Sequence, residues 1–248
     1  MAFPKRISPD SIREAVVEAR YISMLPNELL PGLFFQAFDD KYTYTDRPVR
    51  QSVQNPGNNS RGLQEISFQV GRPSIIYNDK ISVQFLPQSI VISCLSQYIG
   101  WADFQPEIEK ALTRIHGTGQ IQAWTRVGLR YITEYVEKDL HDISHFVFKF
   151  GLPDVKSLSA GFRSEFFFKE NKAILNLVNK APIVADIAGE TSKQSHLSRI
   201  DIDVMKEDLV LNNVGDVLKV IENLHDCEKE IFFGMLKDEF IKSLNPEY

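Results

Sequence analysis

Residues 11–22, "SIREAVVEARYI", alternate in polarity. Ala15, Val17, Ala19 and Tyr21 fall on one side, and Glu14, Glu18 and Arg20 on the other, the period-two pattern of a strand with one buried face. "LPNELLPGLFFQAFDDKY" follows, where Leu29, Leu30, Leu33, Phe34 and Ala37 make a helical stripe, Asn27 is placed to cap it, and Pro31 sits in the first turn, where proline is tolerated. The polar stretch "TDRPVRQSVQNPGNNSRG" reads as a long loop. Beyond it, "LQEISFQV" alternates as a strand, and "KISVQFLPQSIVISCLS" reads as a hairpin turning near Pro87 and Gln88. "WADFQPEIEKALTRIHGTG" places Phe104, Ile108, Ala111, Leu112 and Ile115 on one side of a helix that Gly117 ends.

The order then begins again. "IQAWTRVGLRYITEYV" is a strand, "EKDLHDISHFVFKF" a short helix, and "GFRSEFFFKENKAILNLVN" a hairpin turning around Glu170 and Asn171. In "HLSRIDIDVM", Ile200, Ile202 and Val204 point inward while Arg199, Asp201 and Asp203 point outward. A long helix from about residue 214 to residue 244 closes the chain, with Val217, Val220, Ile221, Leu224, Cys227, Ile231 and Met235 as its apolar stripe. Shifting the numbering by 110 carries Val17 to Val127, Arg20 to Arg130, Tyr21 to Tyr131 and Ile22 to Ile132. The expectation is an α+β fold of two tandem duplicated β-α-β-β-β-α units, 1–118 and 119–248, with mostly antiparallel sheets and a long C-terminal helix. The units would pack as one body, because joining two such sheets removes an exposed edge from each.

Composition changes this picture little. The chain has 248 residues, 43% of them hydrophobic and 25% charged, ordinary values for a domain that buries its own core. Its net charge of −5 argues against a general nucleic-acid binder. The two cysteines, Cys94 and Cys227, sit in apolar contexts and are expected as buried thiols. "MAFPKRISPD" lacks the apolar core of a secretion signal, and no run suits a membrane helix. A cytoplasmic protein is expected.

The motifs of phosphate-binding loops, zinc proteases, paired-cysteine sites and serine hydrolases are absent, and "GTG" at 117–119 precedes a strand and is a turn. His141 and His145 have the spacing of two metal ligands on a helix, yet no third ligand stands near them in the sequence. Asp201 and Asp203 project from one strand face and could hold a divalent cation, or pair with arginines of neighbouring strands. Arg47, Arg50 and Arg61 lie in an acid-poor loop stretch without interleaved aromatics, so base stacking is unsupported. Trp101 and Trp124 are expected as core anchors.

"SPDSIREAVVEARY", "LLPGLF", "RVGLRYI", "RIDIDV" and "LHDCEKEIFFGMLKDEFIKSLNP" together resemble a family of sporadically distributed, uncharacterised prokaryotic proteins of about this length. The resemblance spans nearly the whole chain; the central G-L-R-Y-I and the terminal helix are its most specific marks, and Thr133 is a small departure from its pattern. It carries no catalytic residue. The family's patchy occurrence implies mobile genes, and so a role in bacterial antiviral defence or a toxin–antitoxin-like system.

The reading is a non-enzymatic binding or regulatory protein with no cofactor and no bound metal. It would recognise another protein through an uncovered sheet face carrying Glu18, Arg20, Arg126, Arg130, Arg199, Asp201 and Asp203, with the loop of Arg47, Arg50 and Arg61 ordering on binding. The alternatives are a metal-dependent enzyme acting on a nucleotide or nucleic acid through Asp201 and Asp203, and a structural subunit of a larger complex.

Overall fold

The computed structural model describes residues 3–4, 7–8, 10–39, 41–45, 74–94, 98–140, 146–148, 159–185 and 193–248. In chain order its elements are β1 (Ile12–Ile22), α1 (Leu30–Gln36), β2 (Thr43–Thr45), β3 (Ser74–Tyr77), β4 (Ile81–Leu86), β5 (Ser89–Cys94), α2 (Trp101–Gly117), β6 (Ala123–Val136), β7 (Ala160–Phe168), β8 (Asn171–Ala185), β9 (Lys193–Lys206), α3 (Val214–Met235) and α4 (Asp238–Ser243). The expected strand at 63–70 lies outside the described residues.

The nine strands form one antiparallel sheet in the order β2-β3-β4-β5-β1-β6-β9-β8-β7. Outward from β1 run β5, β4 and β3; outward from β6 run β9, β8 and β7. At the seam, Val17 pairs with Leu129, Glu18 with Gly128 and Ala19 with Val127. Each half begins with a central strand, leaves it, and returns by a meander whose last strand pairs with the first. That route leaves one edge of each central strand free for the other half.

Alternation sets which face is buried. Ala15, Val17, Ala19 and Tyr21 of β1, Val127, Leu129 and Tyr131 of β6, and Ile200, Ile202 and Val204 of β9 are each no more than 3% exposed. With Phe104, Ile108, Leu112 and Ile115 of α2, and Val217, Ile221, Leu224 and Cys227 of α3, they form one core. Each large apolar side chain so buried contributes about 1.5–3 kcal/mol before entropy is counted. α1 adds Phe34, whose ring meets Tyr21 edge-on at 6.0 Å and Phe85 at 5.4 Å.

Several expectations need correction. Asn27 does not cap α1: the helix begins after Leu29 without a side-chain cap, and Asn27 Oδ1 instead accepts the backbone N–H of Gln88 at 3.2 Å. The hairpin turn at Pro87 and Gln88 is where the sequence puts it, but the β7–β8 turn is Lys169–Glu170, one residue early. No helix occurs among the described residues of 137–150. There Leu140 donates its N–H to Asn179 Oδ1 at 2.7 Å, and Phe146 bridges Leu236. The long terminal helix is two helices. Leu236 and Lys237 are extended, and Val147 N–H donates to Met235 O at 2.9 Å. The apolar positions 236, 240 and 244 keep a four-residue spacing, so the pattern hides the break. Cys94 is only partly buried, while Cys227 is fully buried; both are free thiols. No helix among the described residues is long and apolar enough to cross a membrane.

Candidate functional site

The sheet face opposite the helices brings seven of the singled-out residues onto β1, β6 and β9. Cross-strand register makes the geometry. Arg20 stands opposite Arg126, Val16 opposite Arg130, Arg130 opposite Asp203, and Ile132 opposite Asp201. Like charges directly opposite are unfavourable, and the side chains resolve this diagonally. Glu18, two residues from Arg20, accepts from Arg20 Nε at 2.9 Å, from Ser89 Oγ at 2.8 Å and from Arg126 Nη1. Arg126 also lies 3.0 Å from Met205 Sδ through Nη2, and its Nε lies 3.5 Å from Glu207. Arg130 turns from Asp203 to Asp201 and donates twice, Nε to Oδ1 and Nη2 to Oδ2, each at 2.8 Å. Asn176 Nδ2 adds a 3.3 Å bond to Asp201 Oδ2. Arg199 donates to Glu134 Oε1 at 2.6 and 3.0 Å.

Burial pushes both Glu18 and Asp203 up, and their partners decide the net direction. For Glu18, desolvation raises the pKa, but hydrogen bonds from Arg20 and Ser89 and the charge of Arg126 outweigh it, leaving the carboxyl below its ordinary value. Asp203, which Arg130 turns away from, is pushed up: desolvation exceeds the pull of Arg126 and Arg130, and Asp201 and Glu18 add repulsion. The face is therefore less solvated at its centre than alternation implies. Asp201 is 5% exposed, while the side chains of Arg20, Arg130 and Arg199, spread along the face, remain 54%, 45% and 38% exposed. Phe167, 78% exposed on β7, shares this face, since its partner Lys172 pairs onward with Met205.

The donor set bears on the metal reading. Both oxygens of Asp201 are held by Arg130, so a cation there would have to displace a guanidinium. Among the described residues no group of three or more His, Cys, Asp or Glu side chains is placed to hold a metal. His141, His145, Arg47, Arg50 and Arg61 lie outside the described residues.

A second site lies on the helix side. A cavity of about 750 Å³ opens between the N-terminal segment, the start of α2, the second half of α3 and β6. Gly100, at φ +87°, a conformation that suits glycine, turns the chain from Tyr98 into α2. The turn places Trp101 parallel to His225, with ring centroids 4.0 Å apart. His225 Nδ1 lies 3.3 Å from the Tyr131 hydroxyl, which lies 3.2 Å from the Tyr98 hydroxyl. Desolvation holds His225 down at about 3, with repulsion from Lys229 adding to it, and raises both tyrosines above their ordinary range. The imidazole is thus neutral at physiological pH and fits as an acceptor for Tyr131, which leaves Tyr98 to donate to Tyr131. One turn on, Glu228 is 6% exposed and lines the same cavity, with no hydrogen-bond partner among the described residues. Burial pushes its carboxyl up to about 8.

The stripe read from the sequence omits His225 and Glu228. The signal was present: 221, 225, 228 and 232 follow helical spacing beside Leu224 and Ile231, so two ionisable residues stand on an otherwise apolar face. Trp124 is a core anchor with no exposure, whereas Trp101 is only partly buried and walls the cavity. No protein-family model and no curated protein sequence matches the chain.

Proposed function

We propose that the chain is a non-enzymatic binding protein that recognises another protein through the open face of its sheet. The observation that carries this reading is the row of exposed Arg20, Arg130 and Arg199 along the face, with Arg130 bonded twice to the buried Asp201. Arginine and exposed aromatic residues such as Phe167 are the groups that dominate protein interfaces. Ion pairing among the charges fixes their positions in advance, which favours specificity over raw affinity. The same pairing disfavours nucleic acid, because Arg20, Arg126, Arg130 and Arg199 all face carboxylates already, and phosphate binding draws on unpaired positive charge.

The shared order of strands about the β1–β6 seam supports reading 1–118 and 119–248 as copies of one ancestral unit. The resemblance to sporadically distributed prokaryotic proteins supports a regulatory, neutralising or sensing role in a bacterial defence or toxin–antitoxin-like system, acting in the cytoplasm. The test uses the intact chain and a variant with Arg20→Glu and Arg199→Glu, both checked for native folding and incubated with lysate of the native host. A protein retained by the wild type, released by salt and lost from the variant supports the reading. Equal retention by both overturns it. So does a thermal shift with Mg²⁺ or Mn²⁺ that disappears when Asp201 and Asp203 are replaced by Asn.

A further inference from the structure

Three features of the helix-side cavity point to a ligand. First, its size falls within the roughly 300–1,000 Å³ range of small-molecule sites. Second, its walls are apolar and aromatic: Ile7, Ile12, Tyr98, Trp101, Phe232 and Phe233. Third, one acid, Glu228, lines it: the residue is 6% exposed, and no described residue hydrogen-bonds its carboxyl, which leaves that group to the cavity. A buried acid that served packing alone would be replaceable by a hydrocarbon at lower cost.

The charges around it decide what kind of ligand fits. Glu222, His225 and Lys229 come from α3 itself, Asp103 from α2, Tyr98 from the turn before α2, Tyr131 from β6, and Asp10 from the N-terminal segment. His225 is neutral, and Lys229 is the single formal positive charge among these groups, against Asp10, Asp103 and Glu222. The start of α2 has no side-chain cap and brings a partial positive charge. Asp103, in the first turn of that helix, offsets it. Among the described residues the lining is therefore net acidic over an apolar floor, and its aromatic walls attract a cation further.

We propose that this cavity binds a small amphipathic amine, with Glu228 as the counter-ion for its ammonium group and Tyr98, Trp101, Phe232 and Phe233 around its apolar body. Glu228 gives up its proton when the ammonium arrives, so binding releases a proton to solvent. The site lies on the opposite side of the sheet from the row of arginines and stands independently of it.

Three probes of one shape separate the possibilities: 4-phenylbutylamine, 4-phenylbutanol and 4-phenylbutyrate. Binding is read from the tryptophan fluorescence of the intact chain, in which Trp101 walls the cavity and Trp124 is fully buried. Calorimetry at pH 7 in two buffers of different ionisation enthalpy counts protons. The expected result is that the amine binds roughly tenfold or more tightly than the alcohol or the acid. It should release about one proton. Glu228→Gln should lose that preference while still binding the alcohol within about twofold of wild type, which shows that the cavity survives the substitution. Absence of binding by all three at millimolar concentration would overturn the proposal. So would a preference for the carboxylate, or an amine preference unchanged in Glu228→Gln.

Discussion

Arg130 on β6 closes on Asp201 of β9 through two parallel 2.8 Å bonds, although Asp203 is the residue directly across the ladder. The diagonal choice leaves Asp203 desolvated with its carboxyl pushed up, and gives Asp201 three hydrogen bonds, two from Arg130 and one from Asn176.

That pairing has a measurable cost when broken. Arg130→Ala leaves Asp201 buried with only Asn176 to bond it, and should destabilise the fold by about 2–3 kcal/mol in urea unfolding. Removing both partners should cost less than the two single losses together, giving a coupling of roughly 1–3 kcal/mol in a double-mutant cycle. Additive losses would mean that the pair is solvated in solution.

Glu228 sets a pH dependence. Its pKa rises on folding from the ordinary 4.5 to about 8, so the native state keeps a proton that the unfolded chain releases. The stability it contributes is whole below about pH 4.5 and is lost as pH rises towards 8, by up to about 1.4 kcal/mol per pH unit. Glu228→Gln should therefore match wild type near pH 4.5 and exceed it by at least about 2 kcal/mol at pH 8.5. Parallel stability curves would contradict the raised pKa. His225 works the other way: lowered from 6.5 to about 3, its contribution is present above 6.5 and is lost as pH falls.

Asn179, 1% exposed, ties three segments together. Its Oδ1 accepts from Leu140 N–H at 2.7 Å and Ser198 Oγ at 3.1 Å, and its Nδ2 donates to Asp139 at 2.9 Å. It sits at the irregularity in β8 between Val178 and Ala181. Asn179→Ala takes the acceptor from the Leu140 N–H, while Ser198 keeps Lys138 O and Asp139 keeps Lys180, and should cost about 1–3 kcal/mol, measured by chemical unfolding. A loss below about 0.5 kcal/mol would show that water replaces the amide.

Gln88 holds φ +56° in the two-residue turn after Pro87. Glycine adopts that conformation without a side-chain penalty. Gln88→Gly keeps the N–H that Asn27 accepts, and should raise stability by about 0.5–1 kcal/mol, read as a higher melting temperature. A fall would show that the Gln88 side chain contributes contacts of its own.

Much of this fold was legible in the sequence, because alternation is a strong signal wherever one sheet face is buried. The inward sets of β1 and β9, and the helical stripe of α2, all follow from period alone. Local pattern failed where distant partners intervened. Asn27 was drawn to Gln88, and Leu236 left the helix to pair with Phe146. The open face was readable as outward positions, but register decides who pairs with whom, and no period shows that Arg130 reaches Asp201 rather than Asp203. The cavity was hidden for another reason. His225 packs against Tyr131 and Trp101, which lie 94 and 124 residues away in sequence, and Glu228 owes its character to burial in the same cavity.

Arg130 and Tyr131 are consecutive on β6, one facing the open side and one the cavity. The sheet is a single backbone thick at that point. A guest below and a protein above would rest against the same peptide plane, so any tilt that one imposes is felt by the other. Thermodynamic reciprocity then makes the effect mutual: if a guest tightens the protein's grip by some factor, the protein tightens the guest's by the same factor.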